Sequence, residues 1–360
     1  MSCMPFRRLA ATPALLLAML AAPGFDAHAF DPQAGSAPAR GAELLVGNKS
    51  ADTLWRLSLA DGRKLGETPT APGPHEIAVS PDGQLAVVSE YGRQAPGNTL
   101  GVYDTADGRL LRRIDLGTHT RPHGMRFDAD GRRLLVTTEG SDALLVVDVE
   151  GKVERAIDLG PGKGHMVALS RDGAVAYVSK VGAGTVVRVG LADGSVLEKP
   201  AGVGAEGIAV ASDGRVWVSN REEGSVTVHD PVTLDVLDTL ASDGFPIRVV
   251  FTPSGRHALV TNARAATLAV FDSVSRKPVA LVELARPGAE YRETMLGRAA
   301  LPIGAIADPS GERVYVAISG GNEIAVVDTA SWTVVDVVGA RPAEQASRRF
   351  GSCTLNEAYC

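Results

Sequence analysis

The chain has 360 residues, 45% hydrophobic but only 5% aromatic, with a formal charge of −6. That is ample for one large core, provided small aliphatic and β-branched side chains fill it. With a mild acidic excess and no basic block, the composition argues against nucleic acid as a partner, because phosphates call for a basic stripe.

In chain order, Arg7-Arg8 precede an apolar stretch from Leu9 to Ala22, and Ala27-His28-Ala29 has the A-x-A form of a cleavage site. Residues 1–29 therefore read as an export signal. The apolar stretch is short, contains Pro13 and lacks a stop-transfer pattern, and no other run is long enough to span a bilayer. The mature protein is expected to be periplasmic or secreted, and not membrane-embedded. Residues 30–42, rich in Pro, Ala and Gly, read as a linker. Cys3 leaves with the signal. Cys353 and Cys360 remain, and with no histidine beside them they read as a tail disulfide or two free thiols.

From Glu43 the chain becomes a meander of short alternating strands. One unit begins at Pro74-His75-Glu76, with a first strand over 76–80, the turn Pro81-Asp82-Gly83, and a second strand over 84–89. A loop over 90–97, a third strand over 99–103, an Asp-Gly turn and a fourth strand over 110–116 complete it. The opening recurs at Pro122-His123-Gly124, Gly164-His165-Met166, Ala205-Glu206-Gly207, Pro246-Ile247-Arg248 and Pro302-Ile303-Gly304. The second positions are 48, 42, 41, 41 and 56 residues apart, a base period near 41 with two enlarged units. Such a period fits four-stranded blades, which bury their faces only by stacking in a ring.

The last three strands of a blade occur seven times, starting with 44–47, 53–58 and 64–69, whereas the first strand occurs six times. The expectation is an all-β, seven-bladed propeller over residues 43–339. Residues 340–360 form an atypical tail, so the closing strand is expected to be degenerate, with 349–354 the best candidate, or missing.

Tyr177-Val178-Ser179, Trp217-Val218-Ser219-Asn220 and Arg313-Val314-Tyr315-Val316-Ala317 followed by Asn322–Thr329 resemble the YVTN repeat of bacterial and archaeal seven-bladed propellers. The resemblance covers roughly residues 43–339. It implies the fold. For function it implies only a range that includes lactonases, streptogramin-type lyases, the propeller of nitrous oxide reductase and non-enzymatic proteins.

In a four-stranded meander the Asp-Gly turns share one face, and the enlarged connections gather on the other, including the longest, 285–302. Residues opening each first strand lie innermost on that loop-rich face. His75, His123, His165 and Glu206 are thereby expected to line an arc of the channel mouth. Ends of the second strands add Glu90, Glu139, Lys180 and Arg221, with Arg248 and Arg264 on the far arc. Such a mouth suits a small anionic ligand or a metal. Three imidazoles and a carboxylate, His75, His123, His165 and Glu206, could hold a divalent transition metal as cofactor with one position open. The plainer alternative is that these histidines tolerate a wet funnel and bond the crossing loops. Glu76 is expected to face a neighbouring blade or solvent, by strand alternation.

His119, His229 and His257 read as loop or interblade residues. Gly160-Pro161-Gly162-Lys163-Gly164 lacks the spacing and following helix of a phosphate loop. Tyr291, Arg292 and Met295 are placed to cover the funnel. The function read from the chain is a non-enzymatic binding scaffold, expected to be a monomer, that takes a small ligand, a metal ion or a periplasmic protein. The alternative is a lactonase- or lyase-like enzyme using funnel His and Glu residues.

Overall fold

The computed structural model describes residues 42–294 and 296–339, together with the backbone of Leu355–Tyr359. The expected export signal, most of the expected linker, Met295, Cys353, Cys360 and the segment 349–354 lie outside the described residues.

Seven four-stranded antiparallel sheets form the propeller, and among the described residues there is no helix. The second blade runs Pro74–Val79, Leu85–Gly92, Pro96–Asp104 and Leu110–Asp115, strands a to d from the axis outward. Its expected 90–97 loop is instead a tight hairpin, because strands b and c extend until Gly92 pairs with Pro96. Strands a of blades 3 to 7 begin at Pro122, Gly164, Ala205, Pro246 and Pro302. Blade 1 takes its b, c and d strands from Glu43–Asn48, Thr53–Ser58 and Lys64–Pro69. Its strand a is Leu355–Tyr359, antiparallel to strand b with Val46 opposite Ala358. The tail thus closes the ring by backbone pairing, which needs no repeat signature. The seven inner strands touch one another in an unbroken cycle.

Alternate residues of neighbouring blades supply the core. Val87, Leu100, Val102 and Ile114 of blade 2 meet Met125, Leu134, Val136 and Leu145 of blade 3, all buried. Period-2 alternation places one set on each face, so every blade is sandwiched by its neighbours.

Two repeated backbone devices determine what reaches the axis. The residue before strand a is left-handed in blades 2 to 7: Gly73, Arg121, Lys163, Gly204, Phe245 and Leu301 have φ between 55° and 74°. Four of these are not glycine, so tertiary bonds must hold them in a sparsely populated region. Each of their carbonyls accepts the N–H of the residue that follows, on strand b, the partner of strand a's first residue: Tyr91, Glu139, Val181, Arg221, Ala263 and Ser319, at 3.0–3.2 Å. Next, strand a carries one extra residue against strand b in all six blades, as between Pro74 and Ile77. A bulge breaks alternation, so the second and third residues can both turn toward the axis.

A strand-b hydroxyl satisfies the bulge and ties blade to blade. Ser219 Oγ accepts the N–H of Gly207 at 2.9 Å and donates to the carbonyl of Ile247 in the next blade at 2.8 Å. Thr261 repeats this with Arg248 N–H and the Ile303 carbonyl, at 3.1 and 2.9 Å. Ser179 bonds the Met166 N–H and the Glu206 carbonyl, and Thr137 bonds the His165 carbonyl.

Candidate axial binding site

The three histidines expected on one arc do converge. The His75 and His123 rings lie 4.2 Å apart between centroids, edge to face, and those of His123 and His165 lie 3.8 Å apart. Their blades are consecutive, so the same position in each points at a shared space. Glu139 Oε1 accepts from His165 Nδ1 at 2.5 Å, and Glu206 Oε1 lies 3.5 Å from Nε2. Tyr91 Oη donates to Glu139 Oε2 at 2.5 Å, and Arg221 donates to Glu206 Oε2 at 2.5 Å. Lys49 Nζ approaches both ring nitrogens of His75 at 3.4 Å. His123, His165 and Glu206 are buried, whereas His75, Tyr91, Glu139 and Arg221 form a half-buried rim above them.

Glu90 and Lys180 do not join this site. Both sit at the strand-b position that pairs with the first residue of strand a, the column that also holds Asn48, Thr138, Asn220 and Asn262. That column turns away from the axis. Glu90 bonds Thr99, the Ala71 N–H and Arg113, and Lys180 bonds the Leu159 carbonyl and Glu198. Glu139 and Arg221 belong to the next column, where the bond to the left-handed residue aims them inward. A one-residue difference in register separates the two sets, and side chains switch faces at each residue. Lys49 and Tyr91 belong to the inward column too. Comparing equivalent positions after each strand b would have found them.

Glu76 also departs from expectation. It is buried, with Oε1 2.9 Å from Arg248 Nη2 and 4.0 Å from His123 Nδ1. The bulge is the reason, since it gives Glu76 and His75 the same general direction. Arg248 Nη1 also reaches Met166 Sδ at 3.1 Å, so blades 2, 4 and 6 meet on the axis beneath the histidines.

Burial and position divide the charges. Burial, then the positive charges of Lys49, His165 and Arg248, push His75 well below the ordinary imidazole value. Burial and the neighbouring histidines do the same to His123. Burial opposes charge on His165 as well, but its bonds to Glu139 and Glu206 outweigh it and push that imidazole up to about 9. Burial would raise Glu139, yet the His165 bond, the histidine charges and Tyr91 hold it well below the usual carboxylate range. Glu206 is lowered in the same way, against burial, by His165 and Arg221. The cluster is one imidazolium clamped by two carboxylates beside two neutral imidazoles.

The far arc differs. Phe245, Ile247, Ala263 and Leu301 form a buried apolar cluster, joined by Leu296, Ala299 and Ile303. Arg264 stacks on Phe245, 3.9 Å from the ring centroid. The long connection folds a hairpin, Glu293–Thr294 against Gly297–Arg298. It is anchored by Arg286 on buried Glu323 and by the Arg292 N–H on the Gly320 carbonyl. Tyr291 Oη accepts the Arg286 N–H. The connection packs on the apolar arc, not above the histidines. His119 bonds Ser141 on the rim, His229 is buried between Thr227 and Leu234, and His257 stacks on Trp332.

No family model and no curated relative matches the sequence. Solved structures do match in fold. A functionally unknown protein from Desulfotomaculum acetoxidans DSM 771 superposes with a TM-score of 0.68 at 16% identity, covering 88% of this chain and 99% of that one. Hydrazine synthase of Kuenenia stuttgartiensis gives 0.62 at 19% identity, over 72% and 77%. Dihydro-heme d1 dehydrogenase NirN in complex with DHE gives 0.61 at 13% identity, over 85% and 66%. At these identities the likeness is one of fold alone.

Proposed function

We propose that the chain is an exported propeller of the YVTN type that binds a small anionic ligand at the loop-rich end of its channel, without transforming it. One observation carries this reading. Among the described residues at the site, Lys49, Arg121, Arg221, Arg248 and protonated His165 face three carboxylates, Glu76, Glu139 and Glu206. Arg121 and Arg221 bring positive charge to the half-buried rim of this funnel, where low dielectric strengthens each charge. Tyr91, flanked by Lys49 and Arg121 at 5.1 and 5.0 Å from its ring centroid, offers a flat wall to the organic part of such a ligand.

The test is calorimetric titration of the mature protein with small mono- and dicarboxylates and with inorganic phosphate. At least one should bind, and Arg221→Ala should weaken it tenfold or more. Equal affinity in the Arg221→Ala and Arg121→Ala variants would overturn the reading.

A hydrolytic or lyase activity has one feature in its favour: a buried imidazolium beside neutral imidazoles is an acid next to bases. It predicts turnover of a lactone by the wild type that is lost in His165→Gln.

A further inference from the structure

The axial cluster contains a set of ligand atoms with a shape of its own. His123, Glu139 and His165 each offer one nitrogen or oxygen, and these atoms lie within 4.8 Å of one another. Within that set His123 stands out. Its ring is 3% exposed, its Nδ1 has no hydrogen-bond partner, and no described group bonds its other nitrogen. Buried polar groups are paired in the great majority of cases, and an exception asks for something to bind it. Every other side chain around it is engaged: Glu139 by Tyr91 and His165, and Glu206 by Arg221.

We infer that His123, Glu139 and His165 form a binding site for one divalent first-row transition metal ion, with an open position that takes the acidic group of the anionic ligand. The inference deepens the binding role proposed above and rests on it for the identity of that last ligand. Two imidazoles and one carboxylate suit zinc, copper, nickel or iron, and three protein ligands leave room for an exogenous one. The geometry is close. Bonds of about 2.1 Å at tetrahedral angles separate ligand atoms by roughly 3.4 Å. The 2.5 Å contact of His165 with Glu139 would open slightly, while the wider separations, up to 4.8 Å, would contract. Metal entry displaces the proton that His165 shares with Glu139, and that proton leaves to solvent.

Surrounding groups are arranged as an outer shell. Tyr91 donates to the second oxygen of Glu139, and Glu206 faces the remaining nitrogen of His165. Both contacts orient the metal ligands, and the carboxylate facing the second imidazole nitrogen raises the basicity of the first. The set differs from the four residues expected from the repeat alone: Glu139 replaces Glu206 as the carboxylate, and His75 stands outside it.

Tag-free mature protein, stripped with chelator, should bind one equivalent of Zn2+ or Co2+ by calorimetry. Co2+ should give the visible bands of a nitrogen–oxygen site. Those bands should shift when acetate or phosphate is added. His123→Ala and Glu139→Gln should each weaken binding at least tenfold, with circular dichroism unchanged, while His119→Ala on the rim should not. Should His123→Ala fail to fold, His123→Gln keeps the volume and reads the same loss. No stoichiometric metal, or equal affinity in these variants, overturns the site. If no metal binds but carboxylates still do, the metal inference fails and the binding role survives. If metal binds but the bands ignore every anion, the site stands and the anionic ligand is wrong.

Discussion

Arg248 of blade 6 crosses the propeller axis to place its guanidinium 2.9 Å from the carboxylate of Glu76 in blade 2. Both side chains are buried. The pair therefore joins blades that are not neighbours and forms the floor under the histidines. Glu76→Ala should cost about 3–5 kcal/mol, because it removes a carboxylate partner from a buried guanidinium. Glu76→Leu combined with Arg248→Met should recover much of that loss. Urea unfolding of the single and double variants checks both values.

The histidines predict a stability optimum near neutral pH in the metal-free protein. His75 and His123 are pushed below the ordinary value in the folded state. Unfolding lets them take up protons, so their contribution is present above about pH 6.5 and lost as pH falls below it. His165 has the opposite sign. Its folded value of about 9 makes its contribution full below about pH 6.5 and lost as pH rises to 9. Glu139 and Glu206, both lowered, lose theirs only in acid, below about pH 4.3. Thermal unfolding from pH 5 to 10 should peak near pH 6.5, and His165→Gln should flatten the alkaline limb.

The interblade hydroxyls predict losses far from any ligand. Ser219→Ala would leave the buried Gly207 N–H and Ile247 carbonyl without their bridge. Unpaired buried groups cost about 1–3 kcal/mol each. The melting temperature should fall by several degrees, and Ser219→Thr should fall less. Ligand affinity measured well below the transition should not change.

Register separates structural charges from binding charges. Glu90→Gln and Lys180→Met alter groups bonded between strands, so stability should drop while anion binding stays within twofold of wild type. Glu139→Gln and Arg221→Ala alter groups that face the funnel, so each should change anion affinity by more than twofold. Calorimetric titration beside thermal unfolding of all four variants distinguishes the columns.

The repeat carried most of this protein's architecture in plain view. A 41-residue period, Asp-Gly turns and alternating apolar residues dictate four-stranded blades, because each face must be covered by another. The same period aligned His75, His123 and His165, since equivalent positions in a ring point at one axis. Counting strands showed that one first strand was lacking and left open whether the tail supplied it in degenerate form or not at all; the pairing segment is Leu355–Tyr359.

What lay beyond the pattern depends on single-residue displacements that hydrophobic periodicity does not record. The bulge at the start of strand a turned Glu76 inward, against the alternation rule. The left-handed residue before it, four times not a glycine, bonds the next strand and so aims the expected Glu139 and Arg221, and the unforeseen Tyr91, inward, while the equally expected Glu90 and Lys180 turn away. Chain order brought the histidines to one mouth. Backbone hydrogen bonds between segments more than fifteen residues apart decided which carboxylate meets them, and that is a property of the assembled ring.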